Sequence, residues 1–240
     1  MQLALGTHID SLDIQALTWL HQFIGQSRVF DALATSGLSN HLLKFGPVVL
    51  VICWFWFDAH PQRERRRELL VRALAIAMGA LLLGRVLALG LPFRPRPAYR
   101  LDLDLLYPMG EGLRTWSAFP SDHAVVAFAL AAALSRLSPL VGILAFLHAA
   151  VIISFPRIYF GLHHPSDVVG GALIGVALAC LVAWMPMQRA GHGIVMRLEQ
   201  RRPALFYAAG FMLLYEITTM FDGLRATVST VFAMLRHMSA

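Results

Sequence analysis

Charge is what this sequence lacks. Asp, Glu, Lys and Arg together make up 14% of its 240 residues, against about a quarter in a soluble domain. That shortfall excludes an ordinary water-exposed fold. Lysine is almost missing: of 20 basic residues only Lys44 is one. Arginine carries the rest, with its fixed charge and forked donors. Cysteine is scarce too. Cys53 and Cys180 lie inside apolar runs, which excludes a disulfide scaffold or zinc spacing and leaves them as small buried hydrophobes. The N-terminus has neither the basic region nor the apolar stretch of a cleavable signal peptide. No internal repeat of the transporter kind is visible.

Apolar residues are abundant, at 58% with a mean hydropathy of +0.62. They gather in runs at 42–58, 69–92, 123–136, 139–156, 168–186 and 204–221. A bilayer-crossing helix needs about 20 such residues. The expected fold is therefore all-α, a polytopic membrane helical bundle. It has six core helices, if residues 11–33 span, plus one C-terminal transmembrane helix. Residues 11–33 are amphipathic and read equally as a first span or as an interfacial helix. Three regions are expected: 1–38, 39–190 as the main membrane domain, and 191–240 as a basic linker with the last helix. Trp54 and Trp56 near one end of their run suggest an aromatic belt.

The net charge of +6 and pI of about 10.0 point in a soluble protein to nucleic acid. Here they fit arginine-rich cytoplasmic loops, and no nucleic-acid partner is expected. Residues 59–68 hold Arg63, Arg65, Arg66 and Arg67; residues 187–203 hold Arg189, Arg197, Arg201 and Arg202. With both loops inside, residues 93–120 and 157–167 fall on the outer face. Those outer segments nevertheless carry Arg94, Arg96, Arg100, Arg114 and Arg157. Arginines that the topology disfavours need another reason, and an anionic ligand supplies one.

Three segments at outer helix ends concentrate phosphate-binding parts: Arg85 with 93–97, then 119–123, then 156–167. Guanidinium forks match phosphate oxygens. Ser121 stands before an apolar run as an expected N-cap, where free N–H groups and the helix dipole favour an anion. His163 and Asp167 are four apart, so the carboxylate can reach the ring and fix its tautomer.

The pattern resembles the type 2 phosphatidic acid phosphatase superfamily. That family's signature runs Lys-x6-Arg-Pro, Pro-Ser-Gly-His and Ser-Arg-x5-His-x3-Asp. The third part matches as Arg157, His163 and Asp167, and the second as Pro120, Ser121 and His123. The first matches only as Arg96-Pro97 or Arg94-Pro95. Asp122 replaces the glycine and Pro156 the serine. Leu89 stands where the lysine belongs, which makes Arg85 the candidate for its role.

The resemblance implies a lipid phosphatase without cofactor or metal, acting on a lipid phosphate substrate among membrane lipids. His163 attacks phosphorus, Asp167 orients it, and His123 protonates the leaving oxygen. Arg96, Arg157, Ser121 and Arg85 hold the phosphate. Undecaprenyl pyrophosphate and phosphatidic acid both suit a site on the outside of a bacterial inner membrane. Phosphotransfer to a lipid alcohol would use the same residues. The competing classes are an anion or lipid transporter and a catalytically inactive relative. His163-His164 is not expected to bind metal, since neighbouring side chains rarely share an ion. His164 reads as a loop residue, Tyr159 and Phe160 as wall or belt residues, and Gly170, Gly171 and Gly175 as close-packing positions.

Overall fold

The computed structural model describes residues 2–101, 113–184 and 188–223, with Thr230 and Met234. Parts of the outer segment 93–120, of the loop 187–203 and of the C-terminal region 191–240 lie outside the described residues. Among the described residues the regular structure is helical throughout. The helices are α1 (Gln2–His21), α2 (Arg28–Ser39), α3 (His41–Phe57), α4 (Arg63–Gly90), α5 (Pro97–Arg100), α6 (Asp122–Leu134), α7 (Pro139–His148), α8 (Phe155–Tyr159), α9 (Pro165–Trp184), α10 (Gln188–Arg201) and α11 (Pro203–Thr219).

Helix α6 is the axis of the bundle. It is alanine-rich and apolar all round, and nine of its positions from Ala124 to Leu134 are buried. A helix with no polar face must be enclosed, and α4 and α9 enclose this one. Glycines set the distance to α9. A Cβ on Gly175 would lie 2.2 Å from the Val125 carbonyl, and one on Gly171 2.7 Å from that of Ser121. A Cβ on Gly170 would sit 2.5 Å from the Phe119 ring. The close packing read from these three residues is present.

Three helices, α4, the continuous run Pro139–Tyr159 and α9, are long and apolar enough to cross a membrane. The pair α2–α3, bent by 61°, makes a fourth if it counts as one span. Helix α6 is apolar but shorter. Residues 11–33 form no single helix. They hold the end of α1 and the start of α2, broken by a turn in which Gly25 has φ +82. The run 139–156 is continuous but irregular. It widens to a π-helix over Ala149–Ser154 just before Pro156, where proline supplies no N–H to the ladder.

The two basic loops share one end of the bundle. Arg67, buried from α4, donates to Glu199 of α10 (2.9 Å) and to the Trp56 carbonyl (3.1 Å), and lies over the Trp56 ring. Trp56 is accordingly buried and stacked on Phe206 of α11, whereas Trp54 is exposed as a belt residue would be. The three motif segments gather at the opposite end.

Candidate active site

Backbone bonds stitch the motif segments together. Ala118 N–H donates to the Arg94 carbonyl (2.8 Å), Ala98 N–H to that of Gly161 (2.9 Å), and Ser121 N–H to that of Asp167 (3.2 Å). The turn after α8 closes through Gly161, whose φ of +65 suits glycine. Both Leu162 and His163 donate there to the Arg157 carbonyl (2.8 and 3.1 Å).

These bonds hold His163 buried, 3% exposed. Its Nδ1 lies 2.8 Å from the Ala118 carbonyl, and its Nε2 lies 3.1 Å from Arg96 Nη1. A carbonyl only accepts, so Nδ1 carries the proton and Nε2 presents its lone pair. Burial, and after it the Arg96 charge, push this imidazole down to about 3. It is a neutral base with its free nitrogen beside a guanidinium.

Arg96 is 5% exposed, donates Nη1 also to the Leu162 carbonyl (2.9 Å), and leaves Nε without a partner. Ser121 is the N-cap residue of α6, as its position before the apolar run led us to expect, but its hydroxyl makes no capping bond. That Oγ is fully buried and unpartnered. Arg96 Nε and Ser121 Oγ, two buried donors without partners, fit an anion, because buried polar groups otherwise find partners. Arg157 is buried too and donates Nη1 to the Ile153 carbonyl within the π-helical turn.

His123 opens α6. Its Nδ1 lies 2.9 Å from Asp122 Oδ1, and the same oxygen accepts its backbone N–H at 2.8 Å. Arg157 and Asp122 each act electrostatically on both His123 and His163. The two imidazoles therefore face one charged environment.

Two residues stand differently from the arrangement read in the sequence. Asp167 does not hold His163: its nearest oxygen is 3.9 Å from that Nδ1. It accepts instead from the His164 backbone (2.8 Å) and ring (3.0 Å) and from Arg94. His164 does lie in the loop before α9, and these bonds leave it only 1% exposed. A four-residue spacing brought Asp167 near the ring, but the Ala118 carbonyl took the proton first. Arg85 donates Nη2 to the Met220 carbonyl (2.8 Å). It ties the end of α11 to α4, where α11 leaves carbonyls open, and no contact brings it to the phosphate-binding donors. Arg94 and Arg96 also differ in their partners. Arg94 is spent on Asp10 (3.0 Å), Asp13 (2.8 Å), Ser166 (2.7 Å) and Asp167, so Arg96 is the arginine free to meet a ligand. Tyr159 and Phe160 are core residues under α2, not belt residues, and the Tyr159 hydroxyl donates to Asp31 (2.7 Å).

Two site residues escaped the sequence reading. Lys44 is buried in α3 and acts electrostatically on Arg157, Asp122 and His123. The cost of a cation inside a span was the available signal. Asp13 of α1, 3% exposed, accepts from Ser166 N–H (2.9 Å) and anchors Arg94. No motif pointed to it.

The sequence model of the PAP2 superfamily matches residues 68–190. The chain is similar to the putative undecaprenyl-diphosphatase YbjG of Escherichia coli (strain K12), with 28% identity over 166 residues, 68% of this chain and 76% of YbjG. It is also similar to the bacitracin transport permease protein BcrC of Bacillus licheniformis, with 37% identity over 68 residues, 28% of this chain and 33% of BcrC. That second match spans only about a third of BcrC. Among solved structures, the crystal structure of Aquifex aeolicus LpxE superposes with a TM-score of 0.50 at 26% identity, covering 72% of this chain and 96% of LpxE.

Proposed function

Because the chain belongs to the PAP2 superfamily, we propose that it hydrolyses a lipid phosphate or an isoprenoid pyrophosphate through a phosphohistidine on His163, without a metal ion. One observation carries the reading: His163 keeps Nδ1 on a carbonyl and turns Nε2 to Arg96 at 3.1 Å. A phosphate that displaces this contact sets its phosphorus beside Nε2 and its oxygens on Arg96. Ser121 Oγ and Arg157 complete the cradle.

In the first step the Nε2 lone pair forms the N–P bond, and the P–O bond to the lipid breaks with its electrons going to oxygen. The proton on His123 Nε2 moves to that oxygen, a transfer worth about 10²–10⁴ in rate. In the second step His123 takes a proton from water, whose oxygen bonds phosphorus as the N–P electrons return to His163. The guanidiniums hold the charge that gathers on the equatorial oxygens, without reorganising. The Ala118 carbonyl stabilises the positive ring of the intermediate through the Nδ1 proton. Asp167 acts one layer out, through His164 and Arg94.

The basic loops lie at the far end of the bundle, and the positive-inside rule then supports a site on the outer face, as a bacterial inner-membrane enzyme would have it. The name of the putative undecaprenyl-diphosphatase YbjG supports an isoprenoid pyrophosphate among the substrates. The motif residues hold the phosphate and leave the tail to the lipid-facing surface.

The test is inorganic phosphate release in detergent with EDTA, across phosphatidic acid, phosphatidylglycerol phosphate, a lipid A phosphate and undecaprenyl pyrophosphate. We expect release from at least one, inhibition by vanadate, and loss of activity in His163→Ala. A strict divalent-metal requirement, or full activity in His163→Ala, overturns the proposal. Phosphate appearing on an added lipid alcohol instead of free in solution would identify a phosphotransferase.

A further inference from the structure

We propose that Asp122, which occupies a glycine position of the family signature, is a positioning residue for His123 and allows it to act as the acid toward poor leaving groups. The inference rests on the hydrolase reading above and adds a residue to it.

The geometry is direct. One carboxylate oxygen, Asp122 Oδ1, accepts both the backbone N–H of His123 (2.8 Å) and its ring Nδ1 (2.9 Å). A carboxylate only accepts, so Nδ1 carries hydrogen and the ring is held from one side. The opposite nitrogen, Nε2, is then the one left to serve a substrate. Both side chains retain partial exposure, 18% for His123 and 21% for Asp122, as a group that must meet an incoming ligand requires. The location also suits the carboxylate. Asp122 is the first residue of α6, where unpaired N–H groups and the dipole favour a negative charge.

The surroundings explain why such a group is needed. His123 works among cations: Arg157 and Lys44 act on it electrostatically, and Asp122 is the anion among these neighbours. An acid must be positively charged before it gives up its proton. Burial and two nearby cations oppose that charge, and the adjacent carboxylate is the group that works against them. Asp122 also acts electrostatically on His163 and Arg96. A glycine in this position leaves the ring free to rotate and removes the offsetting charge.

A hydrogen-bonded carboxylate therefore matters most where the departing oxygen needs its proton. An alkoxide leaving group needs it; 4-nitrophenolate, a stable anion, does not. The experiment uses the full chain in detergent and compares Asp122→Asn and Asp122→Gly with the unmodified protein on two substrates. One is phosphatidic acid, read as kcat and KM. The other is 4-nitrophenyl phosphate, read as the nitrophenolate burst of the first chemical step. We expect kcat on phosphatidic acid to fall about 10–100-fold in both variants with KM nearly unchanged, while the burst rate falls by about threefold or less. An equal fall on both substrates makes Asp122 a structural residue and overturns the proposal, as does no fall on either. Those results leave the hydrolase reading standing. An unmodified protein inactive on phosphatidic acid also overturns this inference, whereas the hydrolase reading fails, and takes this inference with it, if none of the four lipids named above releases phosphate or if His163→Ala is as active as the unmodified protein.

Discussion

Removing Arg96 and removing Arg94 should produce opposite signatures, although the two residues stand two apart in the same arginine-proline run. Arg96 contacts the His163 nitrogen and a backbone carbonyl and pairs with no carboxylate within 4.0 Å among the described residues. Its loss strands no buried anion, but it removes a donor aimed at the charge that develops on phosphorus. Losing one such donor costs about 10²–10³ in kcat, or roughly 2.7–4 kcal/mol. Arg94 is the reverse. It neutralises Asp167 (0% exposed) and Asp13 (4% exposed), with Asp10 at the rim. Breaking a buried pair costs about 3–5 kcal/mol because the remaining charge stays buried. Arg96→Ala should therefore keep its melting temperature in detergent within a few degrees of the unmodified protein and lose kcat. Arg94→Ala should unfold markedly earlier and detach α1 from α9. Arg96→Lys should recover only part of the rate, since an ammonium cannot reproduce the guanidinium fork. The assays are phosphate release and a thermal melt on the same preparations. If Arg94→Ala melts normally while losing turnover, and Arg96→Ala keeps its activity, the assignment of the two arginines is wrong.

Other outcomes follow from the same structure. Gly175→Leu should destabilise the bundle and lower activity, because even a Cβ there meets the Val125 carbonyl at 2.2 Å and forces α6, with His123, away from α9; an unchanged melt would contradict this packing. Acid should destabilise the protein from about pH 6.5 down toward about 3. Over that window the unfolded chain protonates His163 and the folded chain, whose imidazole is held at about 3, does not. The stability present above pH 6.5 is thus lost as the pH falls, by up to about 1.4 kcal/mol per pH unit for this one group. His163→Gln should flatten that slope, and an identical slope in the variant would count against a buried neutral ring. Lys44→Met should raise KM for a phosphate substrate several-fold with little change in melting, given that this buried cation acts on Arg157 and His123; an unaltered KM would leave Lys44 outside phosphate binding.

Much of the architecture could be read from hydropathy, since a bilayer-crossing helix declares itself by length and composition. The central position of α6 follows from its lack of any polar face, and the α6–α9 contact from three glycines. That His123, His163, Arg96, Arg157 and Ser121 gather at one end of the bundle was legible, because the motifs fix residue type and spacing together. Three things were not. Spacing along the chain could not reveal that a carbonyl from a separate segment, Ala118, would reach His163 Nδ1 before Asp167 did. It could not show that Arg85 would meet the end of a distant helix. Nor could a lone lysine be assigned to the site until α3 was packed beside the π-helical turn Ala149–Ser154. Each is a contact between elements far apart in sequence, set by packing and not by any local pattern. The break at residues 22–27 was also hidden, because an amphipathic stripe continued across it.

The central claim is a covalent bond between phosphorus and His163 Nε2. Rapid acid-free quenching of the protein with a labelled lipid phosphate, followed by peptide mass spectrometry, tests it directly. A phosphoryl group on His163 that forms within one turnover, decays in step with phosphate release, and is missing in His163→Ala is the result expected. Turnover with His163 never labelled, or a phosphoryl group captured on another residue while His163→Ala remains active, would contradict it.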